Sequence, residues 1–314
     1  MTTTAASPLP SQTAKGIALL VAGIAVFSVQ DLILKLISDA YPLHQAMVLR
    51  SLTAIPFLLL IVHFDGGLRS LFTPGTRAMI WRGLVMFAAY TAYYLALAAL
   101  PMATTVALYF SAPLFITILS VFFLAEKVGP RRWFALFAGF AGVLIMVRPG
   151  GDLFDWAALL PVLAGLTYAI SMIAARRLGT TETASALAFW GNAVFLLGGL
   201  LLSALFGTGA WEGDAHPSLA FLFRGWALPT AFDLSLMMAC GVIAAAGLTL
   251  LTQAYRVAEA SVVTPFEYTG LIWSVLYGWI FWQDWPNQTD WLGITIIIGA
   301  GLYILWREAR SPAP

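Results

Sequence analysis

Four ionisable residues interrupt long apolar runs, and they are the first candidates for chemistry. Asp31 and Lys35 lie in FSVQDLILKLI, Arg50 lies near the start of the next run, and Glu267 lies in TPFEYTG. A charge at the centre of a membrane helix costs about 2.5–3.5 kcal/mol on insertion scales, so each needs a reason to be there. Asp31 and Lys35 are four residues apart with the acid first, a spacing that lets them pair on one helix face. Lys35 or Arg50 can hold a carboxylate, and Asp31 an amine or a proton. A structural cluster reaching toward the outer interface is the alternative reading of these three. Glu267 follows Pro265 by two residues. Proline cannot donate to the carbonyl of Ser261, and backbone freed at membrane depth is tolerated where it is buried in protein or lines a cavity. A carboxyl beside such a kink is a candidate for proton exchange, and a hydrogen-bonded structural glutamate is the other reading.

Neutral polar and aromatic residues form a second tier. Gln30, Ser111, Asn192, Thr249 and Gln253 fall inside apolar runs. Each by itself is expected to bond across helices with modest energy, about 0.6 kcal/mol. As a set they suggest a cavity dotted with polar groups. Among 43 Phe, Trp and Tyr, deep positions include Phe27, Tyr90, Tyr93, Tyr94, Tyr109, Tyr168, Trp190, Tyr268 and Trp273. Tyr90 and Tyr94 share a helix face. Buried tyrosines need hydrogen-bond partners and suit a ligand with a flat or cationic group, although packed bulk is an equal reading for each alone. The expected substrate-binding set is Gln30, Asp31, Lys35, Tyr90, Tyr94, Tyr168, Asn192, Gln253, Glu267 and Tyr268. No catalytic or metal residues and no cofactor are expected.

The elements that must position these residues are membrane helices. The chain is 61% hydrophobic and only 10% charged, against about 25% charged in soluble domains. Its mean hydropathy is +0.87. Apolar runs mark ten spans: 16–37, 46–63, 79–100, 103–124, 132–148, 154–175, 184–206, 235–255, 261–281 and 291–306. The first is too long for a signal peptide and carries Asp31 and Lys35, so it reads as retained. With the N-terminus inside, twelve of the sixteen Lys and Arg fall on the cytoplasmic side, Arg82 among them. Only Arg148 and Arg224 fall in outer loops, a strong positive-inside bias that puts both termini in the cytoplasm. The one long loop, 207–234, reads as an outer connection with a short interfacial helix, or as a lid. Residues 1–15 and 309–314 are expected to be disordered tails.

The spans repeat. Shifting by 157 residues pairs Ala103 with Ala260, Val106 with Val263 and Leu114 with Leu271. One residue later Glu126 pairs with Asp284. Two copies of a five-helix unit, 16–150 and 151–308, must enter the membrane in opposite senses. Inverted repeats are an architecture of secondary transporters. Pro56, Pro113 and Pro161 and the small-residue runs CGVIAAAG and GAG suit kinked, closely packed helices. Other chemistry finds no support. There is no Walker motif, GxSxG or HExxH. His44, His63 and His216 have no metal-ligand spacing, and the single Cys240 reads as a packing residue.

The ten-span layout, FSVQDLILKLI, and EASVVTPFEYTGLIWSVLYGWIFWQDWP across the ninth span together resemble the EamA-type drug/metabolite transporter superfamily over nearly the whole chain. One branch of similar size is the YddG-like amino-acid exporters. The resemblance implies an all-α basket of ten helices around a central cavity, with the fifth and tenth peripheral. It also implies a structural role for Glu126 and Asp284. The expectation is a secondary transporter of a bacterial inner membrane. It would export amino acids, aromatic and other neutral ones, by alternating access, with protons as a candidate coupling ion. Import of a larger metabolite, such as a vitamin or S-adenosylmethionine, is the alternative. An intramembrane enzyme is disfavoured because no histidine lies deep. Expected partners are a small-molecule substrate and the lipid bilayer, and no nucleic acid.

Overall fold

The computed structural model describes residues 10–124, 130–147, 155–178, 182–257 and 264–310, which contain helices and turns and no strand. Helices α1 (Pro10–Ile37), α2 (Leu43–Phe64) and α3 (Thr76–Ala99) are followed by α4 (Met102–Tyr109), α5 (Ala112–Leu124) and α6 (Pro130–Val147). Then come α7 (Leu159–Leu178), α8 (Ala184–Phe206), α9 (Pro217–Phe223), α10 (Ala231–Val257), α11 (Thr269–Tyr277) and α12 (Gln288–Arg310). Seven helical segments among the described residues are long and apolar enough to cross a membrane. The protein is therefore an all-helical, multi-pass membrane protein.

Local chemistry explains the breaks. Leu100 precedes Pro101 and is extended, with φ −109° and ψ 157°, as sterics before proline demand, so α3 stops there. The fourth apolar run was expected to be one helix, but it breaks between α4 and α5. Proline 113 has no N–H for the carbonyl of Tyr109, and Ser111 N–H turns back to Leu108 O at 3.1 Å. A matching break precedes α11, where residues Thr264–Tyr268 form a tight 3-10 turn. The start of α11 lies 157 residues after that of α5, the offset read from the sequence, and α8 starts 141 residues after α2. The shift lengthens across the long loop after α8.

The helix ends need two corrections. Residues 10–15 belong to α1, and 309–310 to α12. Neither stretch is a loose tail, because each continues the helical hydrogen bonding of the adjoining apolar segment. Residues 1–9 and 311–314, Glu126 and Glu259–Val263 lie outside the described residues. The long loop does contain a short helix, α9, and its Phe221 is buried in the main core.

The packing pairs are also ordered. Helix α1 packs on α10 and α7 on α3; α2 packs on α10 and α8 on α3; α1 packs on α11 and α7 on α4 and α5. Pairs α2–α8, α4–α11 and α6–α12 close the set. With α1, α2 and α3 matched to α7, α8 and α10, the first four of these pairs exchange with one another, whereas the packing of α9 on α3 has no counterpart. Small residues allow the crossings. A Cβ on Gly241 of α10 would meet the α2 backbone at Arg50 O and Ala54 N, and one on Gly142 of α6 would come 3.0 Å from Gly293 O of α12. Cys240 beside this crossing is free and buried, as a packing residue should be.

Candidate substrate cavity between the helices

A cavity of about 960 Å³ of empty space, including the part open to the outside, lies where α1, α3, α4, α7, α10 and α11 converge. Helical periodicity decides what lines it. From α1 come Ile24, Phe27, Ser28 and Asp31, one stripe at steps of three and four residues. From α3 come Ala89, Tyr90, Tyr93 and Tyr94, and from the α4 segment Met102, Val106, Tyr109 and Phe110. Tyr168 of α7 and Leu251 of α10 add to the wall, and Glu267, Gly270 and Ser274 enter from the broken segment around α11.

The wall is a ladder of tyrosine rings. Tyr90 stacks on Tyr94 with centroids 5.9 Å apart and planes at 15°. Tyr94 meets Tyr93 at 5.7 Å, Tyr93 meets Tyr109 at 5.3 Å, and Tyr109 meets Tyr168 at 5.6 Å. These rings join α3, α4 and α7 into one π surface. Such faces accept flat rings and cations. Tyr93 Oη donates to Asp31 Oδ2 at 3.0 Å. Asp31 and Glu267 are the carboxyl groups of the wall, and no Lys or Arg side chain is among the lining residues.

Behind the wall lies a buried polar relay. Arg50, 4% exposed, donates through Nε to Gln30 Oε1 at 3.0 Å, and Gln30 Nε2 donates to Tyr94 Oη at 2.6 Å. The guanidinium also sits over the Phe195 ring at 4.6 Å. Arg50 therefore does not reach toward an outer interface as the sequence suggested. It is held inside, where it fixes the angle of a cavity tyrosine.

The expected site residues divide accordingly. Asp31, Tyr90, Tyr94, Tyr168 and Glu267 line the cavity. Gln30 is fully buried behind it. Asn192 donates to Ser51 O at 3.1 Å and ties α8 to α2. Gln253 is half-buried on α10, outside the lining. Tyr268 is buried edge-to-face against Phe110 at 5.0 Å, just behind the wall. Lys35 is the clearest departure. It does not pair with Asp31. Its Nζ donates to Leu97 O at 2.9 Å and Leu100 O at 2.7 Å, and lies 5.2 Å from the centre of the Trp282 ring. The last carbonyls of a helix lack intrahelical donors, and an ammonium on the neighbouring helix satisfies them. Sequence reasoning noted Phe27, Tyr93 and Tyr109 as deep aromatics without selecting them. Their signal was the α1 and α3 stripes shared with Asp31 and Tyr90. Met102 and Ser274 carried no signal.

The end of the cavity nearest Lys35 is sealed. Leu34, Ile37, Tyr41, Leu97, Leu100 and Met102 are all buried there. The long loop straps this end: Arg224 Nη1 donates to Ser38 O at 2.6 Å, Gln45 Nε2 to Ala227 O at 2.7 Å, and Tyr41 Oη to Asp233 Oδ2 at 2.7 Å. The other end faces the N-terminal half of α3.

The EamA-like transporter family profile matches residues 14–148 and again 155–306. A riboflavin transporter of Rhizobium johnstonii is 35% identical over 70% of this chain and 67% of its own. An S-adenosylmethionine uptake transporter of Rickettsia bellii is 28% identical over 83% of this chain and 81% of its own. The pseudopaline exporter CntI of Pseudomonas aeruginosa is 24% identical over 91% and 94%. A crystal structure with a TM-score of 0.62 and 18% identity covers 96% of this chain and 99% of its own, a likeness of fold alone. With a helical membrane bundle folded around one aromatic cavity, and a family profile met twice along its length, the chain belongs to the EamA-like transporter family.

Proposed function

We propose that this transporter takes up a small organic metabolite carrying a flat ring, of the flavin or nucleoside kind, across a bacterial inner membrane. The observation that carries this reading is the tyrosine ladder of Tyr90, Tyr94, Tyr93, Tyr109 and Tyr168 around the cavity. Stacking on such faces is worth about 1–3 kcal/mol per base-like ring. The carboxyls of Asp31 and Glu267 favour a neutral or cationic ring over an anionic one. The names of the riboflavin and S-adenosylmethionine relatives agree with that chemistry. The zwitterion set first expected from the sequence loses its cation, because Lys35 is committed to α3 carbonyls.

The proposed mechanism is alternating access between two five-helix repeats, 16–150 and 151–308, of opposite sense and ten spans in all, with both termini in the cytoplasm. The exchange of the α1–α10 and α2–α10 pairs with α7–α3 and α8–α3, and the 157-residue offset between the starts of α5 and α11, support it. In this conformation the Lys35 end is closed; in uptake, substrate enters through that end when it opens and leaves toward the N-terminal, cytoplasmic side of α3. Protons are the proposed coupling ion, carried on Asp31 or Glu267. The test is counterflow in proteoliposomes with labelled riboflavin, S-adenosylmethionine and tryptophan, with and without a proton gradient. Saturable exchange of a ring-bearing metabolite, weakened by Tyr109→Ala, is the expected result. Exchange of amino acids alone would replace the uptake reading with export. Conductance without saturation would make the protein a channel.

A further inference from the structure

Arg82 was counted in the sequence as one more cytoplasmic charge, but its position in the fold says more. It lies on α3 at steps of four, seven and eleven residues from Met86, Ala89 and Tyr93, which puts it on the stripe that faces the cavity. Ala89 and Tyr93 line the cavity, and Met86 is buried. Arg82 stands about 10 Å below Ala89 along the helix axis, at the end opposite Lys35. The side chain is half-buried, and its Nε is fully enclosed with no hydrogen-bond partner. Among the described residues Arg82 forms no ion pair. A half-buried guanidinium with no acid against it among the described residues can take an anion. Its planar fork matches carboxylate and phosphate oxygens in two parallel hydrogen bonds.

We infer that Arg82 forms an anion subsite beyond the end of the cavity opposite Lys35, taking a carboxylate or phosphate carried by the ring-bearing substrate. This rests on the cavity being the transport site. The ring lies on the tyrosine ladder, a cationic or neutral part faces Asp31 and Glu267, and the anionic group reaches Arg82. A lipid headgroup phosphate offers the same chemistry from another source.

The experiment uses the full chain purified in an uncharged maltoside detergent, with binding read by titration calorimetry. Two matched pairs serve as probes: riboflavin with flavin mononucleotide, and decarboxylated S-adenosylmethionine with S-adenosylmethionine. In at least one pair the member bearing the added anion binds roughly tenfold tighter, as charge-assisted hydrogen bonds allow. Arg82→Gln abolishes that preference and leaves the affinity for the partner lacking the anion unchanged, which also reports an intact fold. Arg82→Lys keeps part of the preference. Titrations are repeated with phosphatidylglycerol added. If that lipid stabilises the wild type but not Arg82→Gln, while the soluble pairs bind equally, the anion is a headgroup and the inference fails. An unchanged preference in Arg82→Gln also overturns it. If no probe of either ring series binds the wild type, the cavity reading itself fails, and the subsite with it.

Discussion

Replacing Lys35 by methionine separates two roles for one residue. The sequence nominated Lys35 as a substrate ligand, whereas the structure makes it a tie between α1 and the C-terminal carbonyls of α3. Methionine keeps the apolar stem and removes the ammonium. The loss is two hydrogen bonds, at 2.9 and 2.7 Å, and one contact over the Trp282 ring. Interhelical hydrogen bonds in membrane proteins average about 0.6 kcal/mol and reach about 1.7, and those to charged groups about 1.5–3. A buried cation–π contact adds about 1–2 kcal/mol. Against this, burying an ammonium is itself costly, which offsets part of the loss. The expected net effect is a destabilisation of about 2 kcal/mol, read by reversible denaturation in mixed micelles. The KM for the transported metabolite should stay within about twofold, because Lys35 does not line the cavity. A cysteine at Leu34, buried at the sealed end, should become easier to alkylate as the tie is lost. A tenfold rise in KM with unchanged stability and labelling would refute the assignment and return Lys35 to the substrate.

Tyr109→Ala should weaken binding of a ring-bearing metabolite by about tenfold, in line with about 1–3 kcal/mol per stacked ring, while Tyr277→Ala, outside the lining, serves as the control in the same titration. Glu267→Gln should impair proton-driven uptake and leave the fold intact; unchanged transport across a pH gradient would remove Glu267 from the mechanism. Gln30→Leu should cost about 1–3 kcal/mol, since it leaves the buried Arg50 Nε without its acceptor, and thermal unfolding measures it. Gly241→Ala should cost about 1–3 kcal/mol or more, because its Cβ meets the α2 backbone rather than a flexible side chain; wild-type stability would show that the α2–α10 crossing is looser than described.

Much of the fold was legible because a bilayer imposes one rule on every segment. Apolar runs long enough to span must close their own backbone hydrogen bonds, so composition and run length alone predict helices. The duplication was legible too: the family profile is met twice, at 14–148 and 155–306, and the 157-residue offset found around Val106 and Val263 reappears in the starts of α5 and α11. The break at Ser111 was readable only as a kink, because a proline says that a hydrogen bond is lost and not how far the helix unwinds. For the site, the sequence ranked residues by charge and depth. Of that ranking, Asp31, Glu267 and three tyrosines lie in the cavity wall. Lys35, Asn192, Gln30, Gln253 and Tyr268, chosen by the same ranking, lie outside the lining.

What the sequence determined by itself was the solvent of the chain, the positions of most helices, the duplication and the set of groups rich enough in chemistry to matter. Those follow from local terms, since hydrophobicity, charge and the missing proline donor act along the chain whatever lies beside them. Which face of each helix turns inward was decided only by the tertiary structure. One turn of α1 carries Asp31 into the cavity and the next carries Lys35 to the carbonyls of α3. The difference lies in how α3 crosses α1, a relation between residues sixty positions apart that no local rule contains. The same holds for Arg82. By count it is an ordinary interior-side charge, and only its place on the Ala89–Tyr93 stripe, with no acid against it among the described residues, makes it a candidate for binding.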